Sequence, residues 1–306
     1  MKQVVEIAKA LSNNIQKVIV GKEETVENVI VSLLSRGHLL IEDVPGVGKT
    51  MLARALARSL DCRFQRIQFT PDMLPSDIIG VSIYNPQIQK FEYRAGPIIS
   101  EIVLADEINR ASPKTQSSLL EAMEENQVSV DGTTYRLPEI FMVIATQNIL
   151  NSEGTFPLPV AQLDRFLLRI NLGYPSAEAE EEMLTRQQLT HPIEQLQSVV
   201  SGEELIKAQK KVKEVYVSEE IKRYIVKIVE KTRTYEGFLC GASPRGSLAL
   251  FRTAQARAAM EGRDFATPYD VKRMVLPCLA HRVVARSGYK EEELLEEILR
   301  GVPVPK

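Results

Sequence analysis

The stretch Leu39-Leu40-Ile41-Glu42-Asp43-Val44-Pro45-Gly46-Val47-Gly48-Lys49-Thr50 decides how the chain folds. It opens on an apolar run, passes through a glycine turn, and leads into Leu52, Ala55, Leu56 and Leu60 at helical spacing. A buried strand, a glycine-rich loop and a helix in that order form a phosphate-binding loop, or P-loop. Gly46 and Gly48 let the backbone turn until its N–H groups converge on phosphate oxygens, and the following helix adds its N-terminal dipole. Lys49 supplies an ammonium for the β- and γ-phosphates, and Thr50 a hydroxyl for Mg²⁺. Pro45 and Val47 complete the loop. The full pattern G-x-x-x-x-G-K-[ST] has glycine where this chain has Asp43. A carboxylate there lies close to the phosphates unless it turns away.

Outward from this loop, short apolar runs alternate with helical patterns. The runs cover residues 38–41, 64–69, 102–105, 140–145 and 166–170. Their length and scarcity of charge predict five buried strands of a parallel sheet. The third run ends in Asp106 and Glu107. Beside a P-loop, an acid at a strand tip holds Mg²⁺ directly or through water, and a second acid can deprotonate the attacking water. Asp106 suits the first role and Glu107 the second. Two β-hairpins interrupt the alternation. Residues 127–137 turn at Asp131-Gly132, flanked by Val128, Val130, Tyr135 and Leu137. Residues 81–94 turn around Asn85-Pro86 and return through Phe91 and Tyr93.

After Gly173-Tyr174-Pro175 the pattern is helical throughout. Ser201 with Glu204 forms a capping box ahead of Leu205, Ala208, Val212 and Val215. Ser243-Pro244 and Thr267-Pro268, the latter with Asp270, open two more helices. The division is an α/β core over residues 1–175 and an all-α domain over residues 176–306. Residues 1–175 carry 17 basic and 20 acidic residues, a net of −3; residues 176–306 carry 21 and 20, a net of +1; the sum is the chain's −2. That balance excludes indiscriminate polyanion binding. Hydrophobic residues at 44% exclude a disordered chain. Cys62, Cys240 and Cys278 share no metal-ligand spacing and read as buried thiols in a reducing compartment. His38, His191 and His281 have no paired spacing for a zinc protease. No signal peptide or membrane-spanning run is evident, so a cytoplasmic protein is expected.

Residues 104–132, LADEINRASPKTQSSLLEAMEENQVSVDG, closely resemble the MoxR family of AAA+ ATPases. The resemblance extends through VIVGKE (18–23), LLIEDVPGVGKT (39–50), FTPDMLPSDIIG (69–80), ATQN (145–148), GTFPLPVAQLDRF (154–166), GYP (173–175) and GASPRG (241–246). MoxR-like sequences often carry an acid at the position of Asp43, whereas Ile149 departs from their usual proline. The resemblance implies a AAA+ P-loop NTPase core with a five-stranded parallel sheet, two inserted hairpins and a C-terminal helical lid. It implies ATP and Mg²⁺ as cofactors. Asn148 then corresponds to the polar sensor near the attacking water, Arg165 to an arginine finger for a neighbour's ATP, and Arg245 to the second sensor arginine. Val20 and Gly21 fall in the segment beside adenine, and Met51 follows Thr50 along the nucleotide. Arg245 in the first turn of a helix opposes the helix dipole, which suggests an anionic partner such as the γ-phosphate.

The implied assembly is a hexameric ring acting on a client protein, chaperone-like, in some relatives with von Willebrand factor A domain proteins and in metal-cofactor insertion. The hairpin aromatics Tyr84, Phe91 and Tyr93 either touch the client or pack the hairpin itself. Two other readings stand beside this one. A nucleic-acid motor would use similar hairpins, although the charge balance argues against nucleic acid. A regulatory switch would bind ATP and turn it over slowly, which the intact Asp106 and Glu107 disfavour.

Overall fold

The computed structural model describes residues 1–148, 154–188 and 191–305, so Ile149 lies outside the described residues. Helices α1 (Lys2–Ile15) and α2 (Glu23–Leu34) precede strand β1 (Leu39–Asp43), and α3 (Lys49–Ser59) follows the glycine loop. Next come β2 (Phe64–Gln68), α4 (Pro75–Ile79), and a hairpin of β3 (Gly80–Asn85) and β4 (Lys90–Ala95). Strand β5 (Ile102–Asp106) leads through a 3-10 turn at Ile108–Arg110 to α5 (Pro113–Glu125). A second hairpin, β6 (Gln127–Val130) and β7 (Thr133–Arg136), leads to β8 (Met142–Asn148), α6 (Val160–Leu163) and β9 (Leu168–Ile170).

Five of these strands form one parallel sheet in the order β2-β5-β8-β1-β9. Successive side chains point to opposite faces of a strand, and the core divides accordingly. Leu39, Ile41, Ile102, Leu104 and Ile144 face a cluster shared with α1, α2, α3 and the C-terminal helices. Leu40, Val103, Ala105, Val143 and Ala145 face a second cluster with Leu119, Leu120 and Met123 of α5. The edge strand β2 is the exception to the apolar pattern: Gln65, Arg66 and Gln68 are exposed along it. Asp131 at φ 50° and Gly132 at φ 77° are both left-handed, the geometry a two-residue Asp-Gly hairpin turn demands.

The C-terminal region holds α7 (Ala177–Arg186), α8 (Pro192–Gln195), α9 (Gly202–Val212), α10 (Glu219–Thr234), a strand β10 (Phe238–Cys240), α11 (Pro244–Met260), α12 (Pro268–Leu279), a strand β11 (Val284–Ala285) and α13 (Glu291–Gly301). The caps act where the sequence places them. Ser201 Oγ accepts from Glu204 N–H at 3.3 Å, Ser243 Oγ from Arg245 N–H at 3.1 Å, and Asp270 Oδ2 from Thr267 N–H at 2.7 Å. The helical region also contains a short antiparallel pair, β10 with β11, whose strands of three and two residues are too brief for any periodic signal. Cys240 lies on this pair and is exposed, and Cys62 is only partly covered, so only Cys278 is the buried thiol expected. Among the described residues no helix is long and apolar enough to cross a membrane.

The N-terminal helices tie the two regions together. Gln209 Nε2 of α9 donates to Leu33 O of α2 at 2.8 Å, and buried Arg257 of α11 pairs with Glu27 at 3.2 Å. Asn14 Nδ2 of α1 donates to both Ser59 Oγ at 3.0 Å and Gln197 O at 2.9 Å.

Candidate active site

Register brings the chemistry to one end of the sheet. Asp43 pairs with Asn148 and Gln68 with Asp106, so the C-terminal tips of β1, β8, β2 and β5 sit side by side. The loop between β1 and α3 crosses this end. Gly46 at φ 88° and Gly48 at φ 97° occupy the left-handed region that an L side chain enters only with strain. A Cβ at either position would meet nothing within 4 Å, so the cradle over them is open. Pro45 is exposed, while Val47, Thr50 and Met51 are half-buried around it.

Lys49 reaches back across the loop. Its Nζ donates to Asp43 O and Val44 O, both at 3.2 Å, and to Asn148 Oδ1 at 2.9 Å. Burial pushes its ammonium below the ordinary value, opposed by the charges of Asp43, Asp106 and Glu107. Asn148 Nδ2 in turn donates to Glu107 Oε1 at 2.6 Å. One amide therefore links the ammonium to the carboxylate, and both contacts fix which way it faces. The structure thus brings together Lys49, Asn148 and Glu107, which lie far apart in sequence.

Glu107 holds a left-handed backbone at φ 57°, a conformation costing about 1 kcal/mol for a residue with a Cβ. Its N–H donates to Thr146 Oγ1 at 2.9 Å, and that hydroxyl donates to Asp106 Oδ1 at 2.6 Å. Gln68 Nε2 and Arg110 Nη1 donate to Glu107 Oε2 at 3.3 and 3.2 Å. Asp106 Oδ2 accepts from Arg66 Nε at 3.0 Å and Nη2 at 2.6 Å. Gln68, Thr146 and Arg66 were not legible as site residues. Thr146 stands in the ATQN stretch, but only strand pairing sets it and Gln68 against the acids.

Asp43 turns away from the cradle. Its Oδ2 accepts from Leu172 N–H at 2.6 Å and Gly173 N–H at 2.8 Å, and its Oδ1 from Val44 N–H at 2.8 Å. The buried carboxylate therefore clamps the start of the loop to the segment ahead of α7. Its negative charge is directed at peptide N–H groups rather than at phosphate.

Val20 and Gly21 line a cavity of about 790 Å³ between the end of α1 and the start of α7, with Ala179 and Leu196 opposite. That volume is within the usual range for a small-molecule site. Gly21, at φ 67°, is needed there, since a Cβ would lie 3.0 Å from the Cβ of Ala179.

Arg165 and Arg245 stand elsewhere. Arg165 Nε pairs with Glu124 Oε2 at 3.1 Å, and Arg245 Nη2 pairs with Glu124 Oε1. Glu124 follows Met123, whose carbonyl meets His38 Nε2 at 3.1 Å, and His38 O accepts from Leu167 N–H at 2.8 Å. His38 precedes β1, so this cluster sits at the opposite end of the strands from Lys49, about 16 Å away for five residues of strand. The anionic partner of Arg245 within the chain is thus Glu124.

Thr50 and Asp106 offer hydroxyl and carboxylate oxygens, the hard donors that suit Mg²⁺. Among the described residues no group of three or more His, Cys, Asp or Glu could hold a metal by itself. A metal bound by few side chains and completed by phosphate oxygens fits that donor set.

Residues 38–168 match the ATPase family associated with various cellular activities (AAA), and residues 230–300 match the AAA lid domain. The chain is 51% identical over 297 residues to protein YeaC of Bacillus subtilis, covering 95% of this chain and 93% of that one. It is 42% identical over 294 residues to chaperone MoxR1 of Mycobacterium tuberculosis, covering 93% and 78% respectively. A crystal structure of a candidate ATPase from Cytophaga hutchinsonii superposes with a TM-score of 0.91 at 37% identity, covering 100% of this chain and 98% of that one.

Proposed function

The chain belongs to the MoxR family of AAA+ ATPases, and from that premise we propose that it hydrolyses ATP to ADP and phosphate and uses the cycle to remodel or mature a client protein. The observation that carries the reading is the continuous hydrogen-bonded line from Lys49 through Asn148 to Glu107. It sets a phosphate-binding cation and a general base at a fixed spacing.

In this reading the N–H groups of the loop at 45–50 and the Lys49 ammonium bind the β- and γ-phosphates. Val20 and Gly21 wall the base pocket. Thr50 and Asp106 hold Mg²⁺, which when bound offsets charge on the phosphate oxygens. Arg66, which pairs with Asp106 Oδ2, would share that carboxylate with the metal. Glu107 takes a proton from water as that oxygen attacks the γ-phosphorus and the bond to the β,γ-bridging oxygen breaks. Asn148 positions the water. Arg165 and Arg245 lie at the far end of the sheet, and that supports their serving a neighbouring subunit's nucleotide in a ring. The same proposal includes a core of residues 1–175, a lid of residues 176–306, a hexamer, and a partner with a von Willebrand factor A domain. Of the hairpin aromatics, Tyr93 stacks on Tyr135 at 3.9 Å, whereas Tyr84 and Phe91 pair edge to face on an exposed surface and are the ones free to meet a client.

Glu107→Gln keeps the hydrogen bond from Asn148 and removes the base. Turnover of Mg-ATP is expected to fall by about 100-fold or more with nucleotide binding retained. Unchanged turnover refutes the assignment. Mixing Arg165→Ala subunits with Glu107→Gln subunits is expected to recover activity at mixed interfaces.

A further inference from the structure

Glu124 lies in the 104–132 stretch but carries none of the roles assigned there, yet both arginines converge on it. Arg165 comes from the segment ahead of β9, and Arg245 from the first turn of α11. Their backbones are locked to each other. Ser243 Oγ, the cap of α11, donates to Asp164 Oδ2 at 2.6 Å, and buried Arg282 Nε donates to Asp164 Oδ1 at 2.7 Å. Arg282 Nη1 also donates to Leu167 O at 3.1 Å. One carboxylate thus staples the start of the lid helix to the residue beside Arg165. What remains free to move is the two guanidinium side chains, 29% and 46% exposed.

The electrostatics of this corner are unbalanced without Glu124. Arg245 sits where the dipole of α11 repels a cation. Arg282 adds a like charge nearby; its pKa is lowered chiefly by burial and, to a lesser extent, by the proximity of Arg245. Asp164 is already taken by Arg282 and Ser243. Glu124 is one-third exposed, and its two oxygens each take one arginine.

We propose that Glu124 is a positioning residue that holds Arg165 and Arg245 in the unassembled subunit and competes with the neighbour's triphosphate for them. The inference rests on the reading that both arginines act across the subunit interface. When subunits meet in the presence of ATP, the guanidiniums exchange the carboxylate for phosphate oxygens. The two exchanges are coupled because both guanidiniums share the one Glu124 carboxylate while the staple at Asp164 holds their backbones side by side. Glu124 therefore raises the threshold for assembly and couples it to nucleotide.

The test is the dependence of ATPase activity per subunit on protein concentration, in wild type and in Glu124→Gln. Gln keeps the shape and removes the charge. The concentration for half-maximal activity is expected to fall by about fivefold or more, with turnover at saturating protein unchanged within about twofold. Glu124→Asp is expected to restore the wild-type threshold in part. With assembly in ATP followed by light scattering instead of turnover, the lower threshold of Glu124→Gln is expected to vanish when Arg165→Ala and Arg245→Ala are added, which a merely structural role would not produce. A half-maximal concentration that stays the same or rises overturns the proposal. Arg165→Ala and Arg245→Ala, made singly in the otherwise wild-type chain, separate the two ideas. If both keep full turnover at saturating protein, the trans-arginine reading fails. If they lose it while Glu124→Gln shifts no threshold, only the role of Glu124 fails.

Discussion

Asp43→Asn changes one oxygen to an NH₂ group at the centre of three backbone hydrogen bonds. Oδ2 accepts from Leu172 and Gly173, Oδ1 accepts from Val44, and the residue is 5% exposed. An amide has one acceptor. If its oxygen faces Leu172 and Gly173, its NH₂ faces the Val44 N–H, donor against donor. The variant loses one bond outright and the charge assistance of the others, a cost of about 2–3 kcal/mol. Asp43→Gly installs the residue that the consensus P-loop has there, and leaves three N–H groups, that of buried Leu172 and those of half-buried Val44 and Gly173, without their acceptor. At about 1–3 kcal/mol each, less what entering water recovers, the cost is about 3–6 kcal/mol. Thermal unfolding followed by circular dichroism is the assay. Midpoints are expected to drop in the order wild type, Asn, Gly, by about 4–10 °C for Asn. Limited proteolysis should find faster cleavage at 172–175, where the clamp holds the segment ahead of α7. Asp43→Gly at or above the wild-type midpoint refutes the brace, because it would show that the carboxylate is tolerated there rather than used.

Acid stability should reveal the buried histidines. His38 is buried, and burial pushes its imidazole down to about 4 from an ordinary 6.5. The native chain favours the neutral ring, so this stability is complete above pH 6.5, falls as protons bind the unfolded chain, and is gone near pH 4. The loss is about 3 kcal/mol over that window, and His281, lowered mainly by burial and next by Arg282, acts in the same direction. Urea midpoints at about pH 7.5 and about pH 5 should differ by more than exposed carboxylates account for, and equal midpoints contradict the shift. Asp164→Ala strands the buried Arg282 guanidinium and frees the Ser243 cap of α11 from its tie to the core, at about 3–5 kcal/mol. Its midpoint should fall well below that of Asp164→Asn, and equal values would show that the buried charge is satisfied elsewhere.

The sequence by itself determined the local elements and the loop chemistry. Strand alternation, the glycines at 46 and 48, the Asp-Gly turn and the serine caps act through φ/ψ preferences and hydrogen bonds within a few residues. Such signals survive in a one-dimensional reading. Lys49, Thr50, Asp106 and Glu107 were legible for the same reason, each standing at a fixed offset from a strand end. The two short strands β10 and β11 were not, because a pair of three and two residues has no period to detect. The partnerships were decided only by the tertiary structure. Gln68 meets Glu107 because β2 and β5 are neighbours in the sheet. Asp43 finds its acceptor role on Leu172 and Gly173 because β9 lies beside β1. Arg165 and Arg245 share Glu124, at the end of the sheet away from Lys49, because α11 docks on the segment before β9. A charge's partner depends on which surfaces pack, and packing sums contacts over the whole chain. Residue type alone could say that Arg245 wanted an anion; the fold decided which one it has.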